Sequence, residues 1–154
     1  EISACLVGSE MCIRDSEYVK RLGTYCRLNI IELSPKKLPE NPSESEISNA
    51  LNAEGREILS KIPNGSKVFS MCIEGRQLSS EKLAKEIDSC GVLGFSNVVF
   101  IIGSSYGLSD EVKKRSDFRL SMSEMTFPHQ LARIMLLEQI YRAFRINSGG
   151  KYHK

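Results

Sequence analysis

The sequence contains no apolar run long enough to cross a lipid bilayer. Two of its longest runs, residues 98–102 and 134–137, hold five and four residues, whereas a membrane-spanning helix needs about 20. The first eight residues also lack the basic start and the extended apolar stretch of a secretory signal. These two absences argue against a membrane protein and against an exported one.

The cysteines form no pattern typical of a metal site or of a disulfide framework. There are five of them, an odd number, and no two are spaced as C-x-x-C. Because both kinds of site require tighter spacings, we interpret the cysteines as reduced thiols in a cytoplasmic protein. We also expect that the protein needs no metal ion.

Length and composition indicate one globular domain that spans residues 1–154. Apolar residues make up 41% of the chain and charged residues 26%, which is ordinary for a soluble protein. The net charge of +2 conceals a split, because residues 128–154 hold five Lys and Arg against one Glu. That excess indicates a polyanionic partner such as nucleic acid, although cations also favour a helix carboxyl end without any partner.

Strand and helix patterns alternate along the chain. Strand patterns occupy residues 2–8, 27–33, 67–73, 97–102 and 119–123; helix patterns occupy residues 16–22, 46–62 and 80–89, a segment after Ser109 and a long segment from Pro128. The alternation predicts a three-layer α/β domain with a largely parallel sheet. Five consecutive apolar residues predict a central strand at 98–102, and the Pro, Ser and Lys of residues 34–45 predict a flexible loop.

The final helix is apolar on nearly every side. Its apolar residues are Leu131, Ile134, Met135, Leu136, Leu137, Ile140, Tyr141, Ala143, Phe144 and Ile146. A surface helix needs only one apolar stripe, so we expect this helix to be buried both in its own core and against a second chain. Residues 148–154 follow as a basic tail with two glycines, suited to reaching an anionic ligand.

Three loops that follow strand patterns are candidates for a ligand site, since ligands of open α/β sheets lie beyond the carboxyl ends of the strands. They are residues 71–75, 103–107 and 122–127. Gly103 and Gly107 would let backbone amides approach a ligand, although a lone G-x-x-x-G often serves only a strand-to-helix turn. The P-loop pattern and the G-x-G-x-x-G dinucleotide pattern are both absent from the sequence.

Several polar residues of the last segment could carry chemistry, and each has a plainer alternative. His129 lies at the start of the final helix, where a single histidine more often packs against a neighbouring loop. Glu138 and Arg142 are four residues apart, as in an ordinary helix ion pair, but their apolar surroundings favour a role in a site. Tyr152 and His153 could equally be frayed terminal residues.

Four segments resemble the large-subunit ribosomal RNA methyltransferase H family, the smallest members of the SPOUT class. They are residues 100–108 (FIIGSSYGL), 120–130 (LSMSEMTFPHQ), 138–146 (EQIYRAFRI) and 152–154 (YHK). With residues 17–22 (EYVKRL) added, the resemblance extends over residues 17–154. The order of these motifs along the chain is highly specific.

The resemblance implies a SPOUT-type α/β fold with a C-terminal trefoil knot, a homodimer, and S-adenosyl-L-methionine as cofactor. It also implies methyl transfer to N3 of a pseudouridine in 23S rRNA, on the assembled ribosome. By position, the family's cofactor-binding residues correspond to Met71, Gly103, Met122, Ser123, Glu124, Met125, Thr126 and Phe127. All of them belong to the three strand-end loops.

For such a reaction we assign hypothetical roles to residues of the last segment. Arg142 would stabilise the anion that forms when N3 loses its proton, and Glu138 would orient Arg142. His129 or His153 would accept the proton, and Tyr152 would stack on the nucleobase or form a hydrogen bond with it. Because the tail follows a helix that we expect to dimerise, its residues would complete the partner chain's site.

The sequence also departs from the family and leaves alternatives open. Family members usually carry a second glycine where this chain has Ser104, and residues 1–16 do not match, so we interpret residues 1–16 as foreign or truncated sequence. One alternative is a non-catalytic ribosome-binding or assembly factor with the same fold. Another is a flavodoxin-like nucleotide-binding module, which requires a phosphate-binding loop where this chain has residues 8–11. An unstable chain, caused by the atypical residues 1–16, is a third.

Overall fold

In the computed structural model, five parallel strands form one sheet. The structure describes the backbone of residues 2–7 and 13–150, and the side chains of Ile2 and residues 16–150. The strands are β1 (Ile2–Val7), β2 (Leu28–Leu33), β3 (Lys67–Gln77), β4 (Val98–Ile102) and β5 (Phe118–Ser121). They lie in the order β2-β1-β4-β3-β5, and each neighbouring pair is parallel.

Helices cover both faces of this sheet. In the described part of the chain they are α1 (Ile13–Leu22), α2 (Glu44–Lys61), α3 (Ser80–Val92), α4 (Asp110–Arg115) and α5 (His129–Asn147). Helix α5 packs against α1 and α3, whereas α2 packs against α4 and against β1 and β2. The predicted three-layer α/β domain with a parallel sheet is therefore confirmed.

Strand β4 is the centre of the core, as its five apolar residues predict. All five are buried. The Phe100 ring stacks on the Phe69 ring with centroids 5.0 Å apart and belongs to the same apolar cluster as Ile140 of α5. On the other face, Ile101 belongs to a second cluster with Val112 of α4. Each half of the molecule thus packs against the same strand.

Serine side chains set the start of three helices. The hydroxyls of Ser79 and Ser109 accept hydrogen bonds from backbone N–H groups in the first turns of α3 and α4. These caps start both helices where their sequence patterns predict. Ser43 and Glu46 form a capping box that starts α2 two residues before the predicted position.

The connection between β2 and α2 is anchored near its beginning. Residues 34–43 have no helix or strand, as predicted for this Pro-rich segment. The backbone N–H of Lys36 donates a 2.8 Å hydrogen bond to the carboxylate of Glu54, which is buried in α2. The flexibility of the remaining loop stays a prediction.

Strand β3 is longer than its sequence pattern predicts. The pattern covers residues 67–73, whereas β3 continues four residues further. Met71 and Arg76 both pair with Leu120 of β5, so the residues between them leave the ladder and bulge out of the sheet. This bulge, the β3 arch (residues 72–75), forms part of the site described below.

Gly75 explains why the strand does not end where the sequence predicts. A Cβ atom on Gly75 would lie 2.7 Å from the carbonyl oxygen of Arg119. Only a glycine lets the chain return this close to β5. A residue that usually indicates a turn here closes a bulge, and the strand pairing resumes after it.

Helix α5 has two different faces. Its buried face consists of Arg133, Leu136, Leu137, Ile140 and Ala143, which confirms burial in the chain's own core. The opposite face carries Leu131, Ile134, Met135, Glu138 and Arg142, and we call it the outer face of α5. Leu131 is 45% exposed there, and the expected cover by a second chain stays a prediction.

Among the helices that the structure describes, none combines the length and the apolarity needed to span a membrane.

Replacing Phe100 by alanine should destabilise the fold strongly, because this ring is fully buried at the centre of the sheet. Loss of a buried aromatic side chain costs about 3–5 kcal/mol of unfolding free energy. Val92→Ala is the control, since Val92 is 83% exposed and its loss should change stability by less than about 0.5 kcal/mol. Urea-induced unfolding measures both values. Equal unfolding midpoints for the two variants would contradict the central position of β4.

Candidate active site

The β3 arch and the carboxyl ends of β4 and β5 open into a cavity of about 560 Å³, a size typical of small-molecule sites. Its walls are the β3 arch, the loop after β4, and the loop after β5 that leads into α5. The strands are parallel, so their carboxyl ends meet at the same edge of the sheet. The structure thus brings the three strand-end loops of the sequence analysis together around one space.

Most of the residues expected to bind a cofactor face this space. Seven of the eight line it: Met71, Gly103, Met122, Ser123, Met125, Thr126 and Phe127. Glu124 is exposed and lies in the same loop without lining the cavity. The loop after β5 therefore contributes the neighbours of Glu124 and not its carboxylate.

The two glycines of the loop after β4 are required by the shape of that loop. A Cβ atom on Gly103 would overlap the carbonyl group of Gly107, so the chain can fold back on itself only without a side chain there. Gly107 has a φ of 91°, a conformation that favours glycine, and its N–H donates a 2.8 Å bond to the carbonyl of Ser104. The G-x-x-x-G spacing therefore serves a tight turn, and this turn is also a wall of the cavity.

One ion pair that lines the cavity is not among the residues predicted from the sequence. The Nζ of Lys113 in α4 lies 2.6 Å from the Oε1 of Glu74 in the β3 arch. The hydrogen bond from Lys113 lowers the pKa of the Glu74 carboxyl, and the same bond raises the pKa of the Lys113 ammonium. An acidic residue before a glycine at a strand end could have indicated Glu74, but no signal in the sequence distinguishes Lys113 from its neighbours.

His129 is the predicted catalytic residue that the structure places at the cavity. It is the first residue of α5, directly after Pro128, and its half-buried side chain lines the cavity. The plainer alternative was that the histidine packs against a neighbouring loop. Because the neighbouring loops are walls of the cavity, a His129 side chain in that position also belongs to the candidate site.

Glu138 and Arg142 lie outside the cavity. Arg142 donates hydrogen bonds from Nη2 and Nε to Oε1 of Glu138, at 2.6 and 3.0 Å. Arg142 lies thirteen positions after His129 in one continuous helix, a distance of about 20 Å at 1.5 Å per residue. Within one chain, the structure does not bring Arg142 and His129 into the same site. Tyr152 and His153 lie outside the described residues.

The described cysteines show no pairing. Cys26, Cys72 and Cys90 are free thiols, and the residues described by the structure contain no group of three or more His, Cys, Asp and Glu side chains placed to hold a metal ion. Cys72 lines the cavity next to Glu74. Burial is the main reason why the pKa values of Cys72 and Cys90 are raised.

The sequence of this chain is similar to those of known methyltransferases. A family model described as a predicted SPOUT methyltransferase matches residues 9–153. The chain is 54% identical to ribosomal RNA large subunit methyltransferase H 1 of Clostridium perfringens (strain SM101 / Type A), over 90% of this chain and 87% of that protein. Proteins named ribosomal RNA large subunit methyltransferase H from Clostridioides difficile (strain 630) and Alkaliphilus oremlandii (strain OhILAs) are 55% and 52% identical, with the same coverage.

A solved structure shares the fold. It is described as a probable methylase family protein from Haemophilus influenzae Rd KW20, and it matches 99% of this chain and 70% of its own with a TM-score of 0.57. Its sequence is only 14% identical, so this likeness concerns the fold alone.

Occupation of the cavity should protect one buried thiol and leave another unchanged. Cys72 lines the cavity and Cys90 does not, while burial raises the pKa of both thiols. Iodoacetamide should therefore modify both slowly at neutral pH, and faster as the pH rises and thiolate forms. S-adenosylhomocysteine should slow labelling of Cys72 alone, as measured by site-resolved mass spectrometry. Equal protection of both thiols would mean that the ligand acts on the whole fold and not at this cavity.

Proposed function

This chain belongs to the SPOUT methyltransferase family, in the group of the large-subunit ribosomal RNA methyltransferase H proteins, and we propose that it methylates N3 of a pseudouridine in 23S rRNA with S-adenosyl-L-methionine. The observation that carries the proposal is the cavity, because three separate segments bring seven of the eight expected cofactor-binding residues to it. The names of the relatives support ribosomal RNA as the substrate.

The lining of the cavity fits a nucleoside. Apolar side chains of Ile102, Leu120 and Met122 suit the faces of an adenine ring. The hydroxyl groups of Ser123 and Thr126 offer hydrogen bonds to a ribose. The tight turn at Gly103 brings main-chain atoms to the wall of the cavity, where they can approach a ligand closely. A cavity with a mostly apolar lining and a few polar groups is typical of cofactor sites.

The chain's own residues have to prepare the nucleophile. The cofactor, when bound, supplies an electrophilic methyl group on a positively charged sulfur. N3 of pseudouridine carries a proton that must leave, so the site needs a base. His129 lines the cavity, and an imidazole nitrogen can accept a proton, so we assign His129 as the base, with His153 as the alternative.

We further propose that the complete site needs two copies of the chain. Arg142 lies about 20 Å along α5 from His129, too far to act on the same nucleobase within one chain. The outer face of α5 combines the apolar side chains of Leu131, Ile134 and Met135 with the Glu138–Arg142 ion pair, a composition suited to a symmetric interface. In such a homodimer, the Arg142 of one copy would stabilise the anion at the other copy's cavity.

The mouth of the cavity supports a large substrate. Ile73 and Tyr106, which line it, are about half exposed, at 51% and 49%, and Met125 is 69% exposed. Exposed apolar side chains around a site suit contact with a nucleobase or with the surface of a partner.

A net charge of +2 is modest for RNA binding, since each phosphate contact adds about one unit of salt dependence. We therefore propose that the chain recognises the assembled ribosome and not naked RNA, and that it does so in the cytoplasm. The C-terminal trefoil knot stays a prediction.

Methyl transfer to ribosomes tests the proposed activity. The purified chain is incubated with methyl-labelled S-adenosyl-L-methionine and ribosomes from a strain that lacks this methylation. Label at a pseudouridine of 23S rRNA is the expected result. Cofactor binding without label would favour the non-catalytic ribosome-binding factor, and loss of both would reject the proposed function for this chain.

Arg142→Ala should lower turnover without weakening cofactor binding, because Arg142 does not line the cavity. The loss of a positive charge that stabilises a developing anion lowers kcat by about 100- to 1000-fold. Arg56→Ala is the control, since Arg56 is an exposed arginine of α2. Label transfer measures kcat, and calorimetry measures the Kd of the cofactor. Unchanged turnover in Arg142→Ala would contradict the assigned role.

A mixture of two inactive variants tests whether the site is shared. If Arg142 acts on the partner's cavity, a heterodimer of Arg142→Ala and His129→Ala chains contains one intact site. Mixing the two variants should therefore restore activity that neither shows alone. An inactive mixture, with exchange of chains verified by mass spectrometry, would contradict a site built from two copies.

A further inference from the structure

The Glu74–Lys113 ion pair has an unusual position among the groups that line the cavity. Of the lining residues, all of which the structure describes, these two are the one acidic and the one basic side chain, and His129 adds an imidazole. The Lys113 side chain is 25% exposed and the Glu74 side chain 53%. One positive and one negative charge are therefore available at the edge of an otherwise uncharged cavity.

Stability alone is a weak explanation for this pair. Exposed ion pairs contribute little to folding free energy. The pair joins two elements that approach each other at the cavity, the β3 arch and α4. The hydrogen bond from Lys113 and the nearby charge of Arg119 lower the pKa of Glu74. Both partners thus stay charged over a wide pH range, which a binding site for a charged ligand needs.

The charges match one end of the proposed cofactor. Its adenine and ribose are uncharged, whereas its amino acid end carries an ammonium and a carboxylate next to each other. Charged groups that leave water need opposite charges or hydrogen bonds in return. Elsewhere the described lining offers apolar side chains, hydroxyl groups, the Cys72 thiol, the His129 imidazole and main chain. On binding, the Glu74–Lys113 pair would be replaced by two ion pairs, one between Lys113 and the ligand's carboxylate and one between Glu74 and its ammonium. The net charge at this place would stay the same, because the amino acid end is itself neutral overall.

We propose that Glu74 and Lys113 bind the amino acid end of the cofactor, with Lys113 on the carboxylate and Glu74 on the ammonium. The inference rests on the proposed function and names a binding subsite within it. The pair then sets specificity: it favours ligands that carry the whole amino acid over nucleosides that lack it. It also orients the ligand, since the adenine is directed to the apolar side chains and the charged end to the arch.

Two ligands separate this subsite from the rest of the cavity. S-adenosylhomocysteine carries the amino acid end and no positively charged sulfur, and methylthioadenosine lacks the amino acid end altogether. Calorimetry gives the Kd of each ligand, and of S-adenosyl-L-methionine, for the full-length chain and for Lys113→Met and Glu74→Gln. Controls are Lys114→Met and Glu111→Gln, which change the same residue types at exposed positions of α4 that do not line the cavity.

We expect the wild-type chain to prefer S-adenosylhomocysteine. Each of the two cavity variants should weaken its binding by about 10- to 100-fold, the range for a hydrogen bond to a charged group. Methylthioadenosine should bind all variants within about twofold of the wild type, which also shows that the cavity is intact in each. The two control variants should bind both ligands as the wild type does.

Three results would overturn the inference. Equal weakening of both ligands would assign the pair a structural role in holding the arch. Unchanged binding of both would separate the pair from the ligand. A Glu74→Gln variant that weakens S-adenosyl-L-methionine but not S-adenosylhomocysteine would place Glu74 at the charged sulfur. Failure of the wild-type chain to bind either ligand is a different outcome, because it rejects the proposed function itself.

Discussion

Parallel pairing of β3 with both β4 and β5 is the constraint on which the rest of the structure depends. It aligns three carboxyl ends at one edge of the sheet, and the loops that follow them have to share the space beyond. Asp117 fixes this arrangement at the other end: its N–H donates to the carbonyl of Val68, and its carboxylate accepts from the N–H of Val68 at 2.7 Å. Since β5 leads directly into α5, the same pairing also sets where His129 stands.

Two glycines allow backbone segments to pack closely at the walls of the cavity. Gly75 lets the β3 arch leave the sheet and return to it, and Gly103 lets the loop after β4 fold against Gly107. In both places main chain lies against main chain, so the loops form walls without filling the space between them. Larger side chains would force these segments apart and would change the shape of the cavity.

Sequence patterns predict the parts of this fold that depend on neighbouring residues. The buried strand β4 and the helix starts after Ser79 and Ser109 are local features, and they are confirmed. The β3 arch is not a local feature. In the sequence alone Gly75 indicates a turn, and only its contact with β5 shows that it closes a bulge. The Glu74–Lys113 pair is equally hidden, since it joins residues 39 positions apart through that arch. The distance between His129 and Arg142 can be calculated from the sequence if the helix is straight. That only His129 lies at the cavity is known only once the cavity is located.

Methionine side chains offer the most direct test of the cavity as the cofactor site. Met71, Met122 and Met125 line it, whereas Met135 lies on the outer face of α5. The measurement is a titration of chain labelled with methyl-13C methionine, followed by NMR as S-adenosylhomocysteine is added. The signals of the three lining methionines should shift most, with one common Kd. Saturable binding that leaves those three signals in place would show that the ligand binds elsewhere and that this cavity is not the cofactor site.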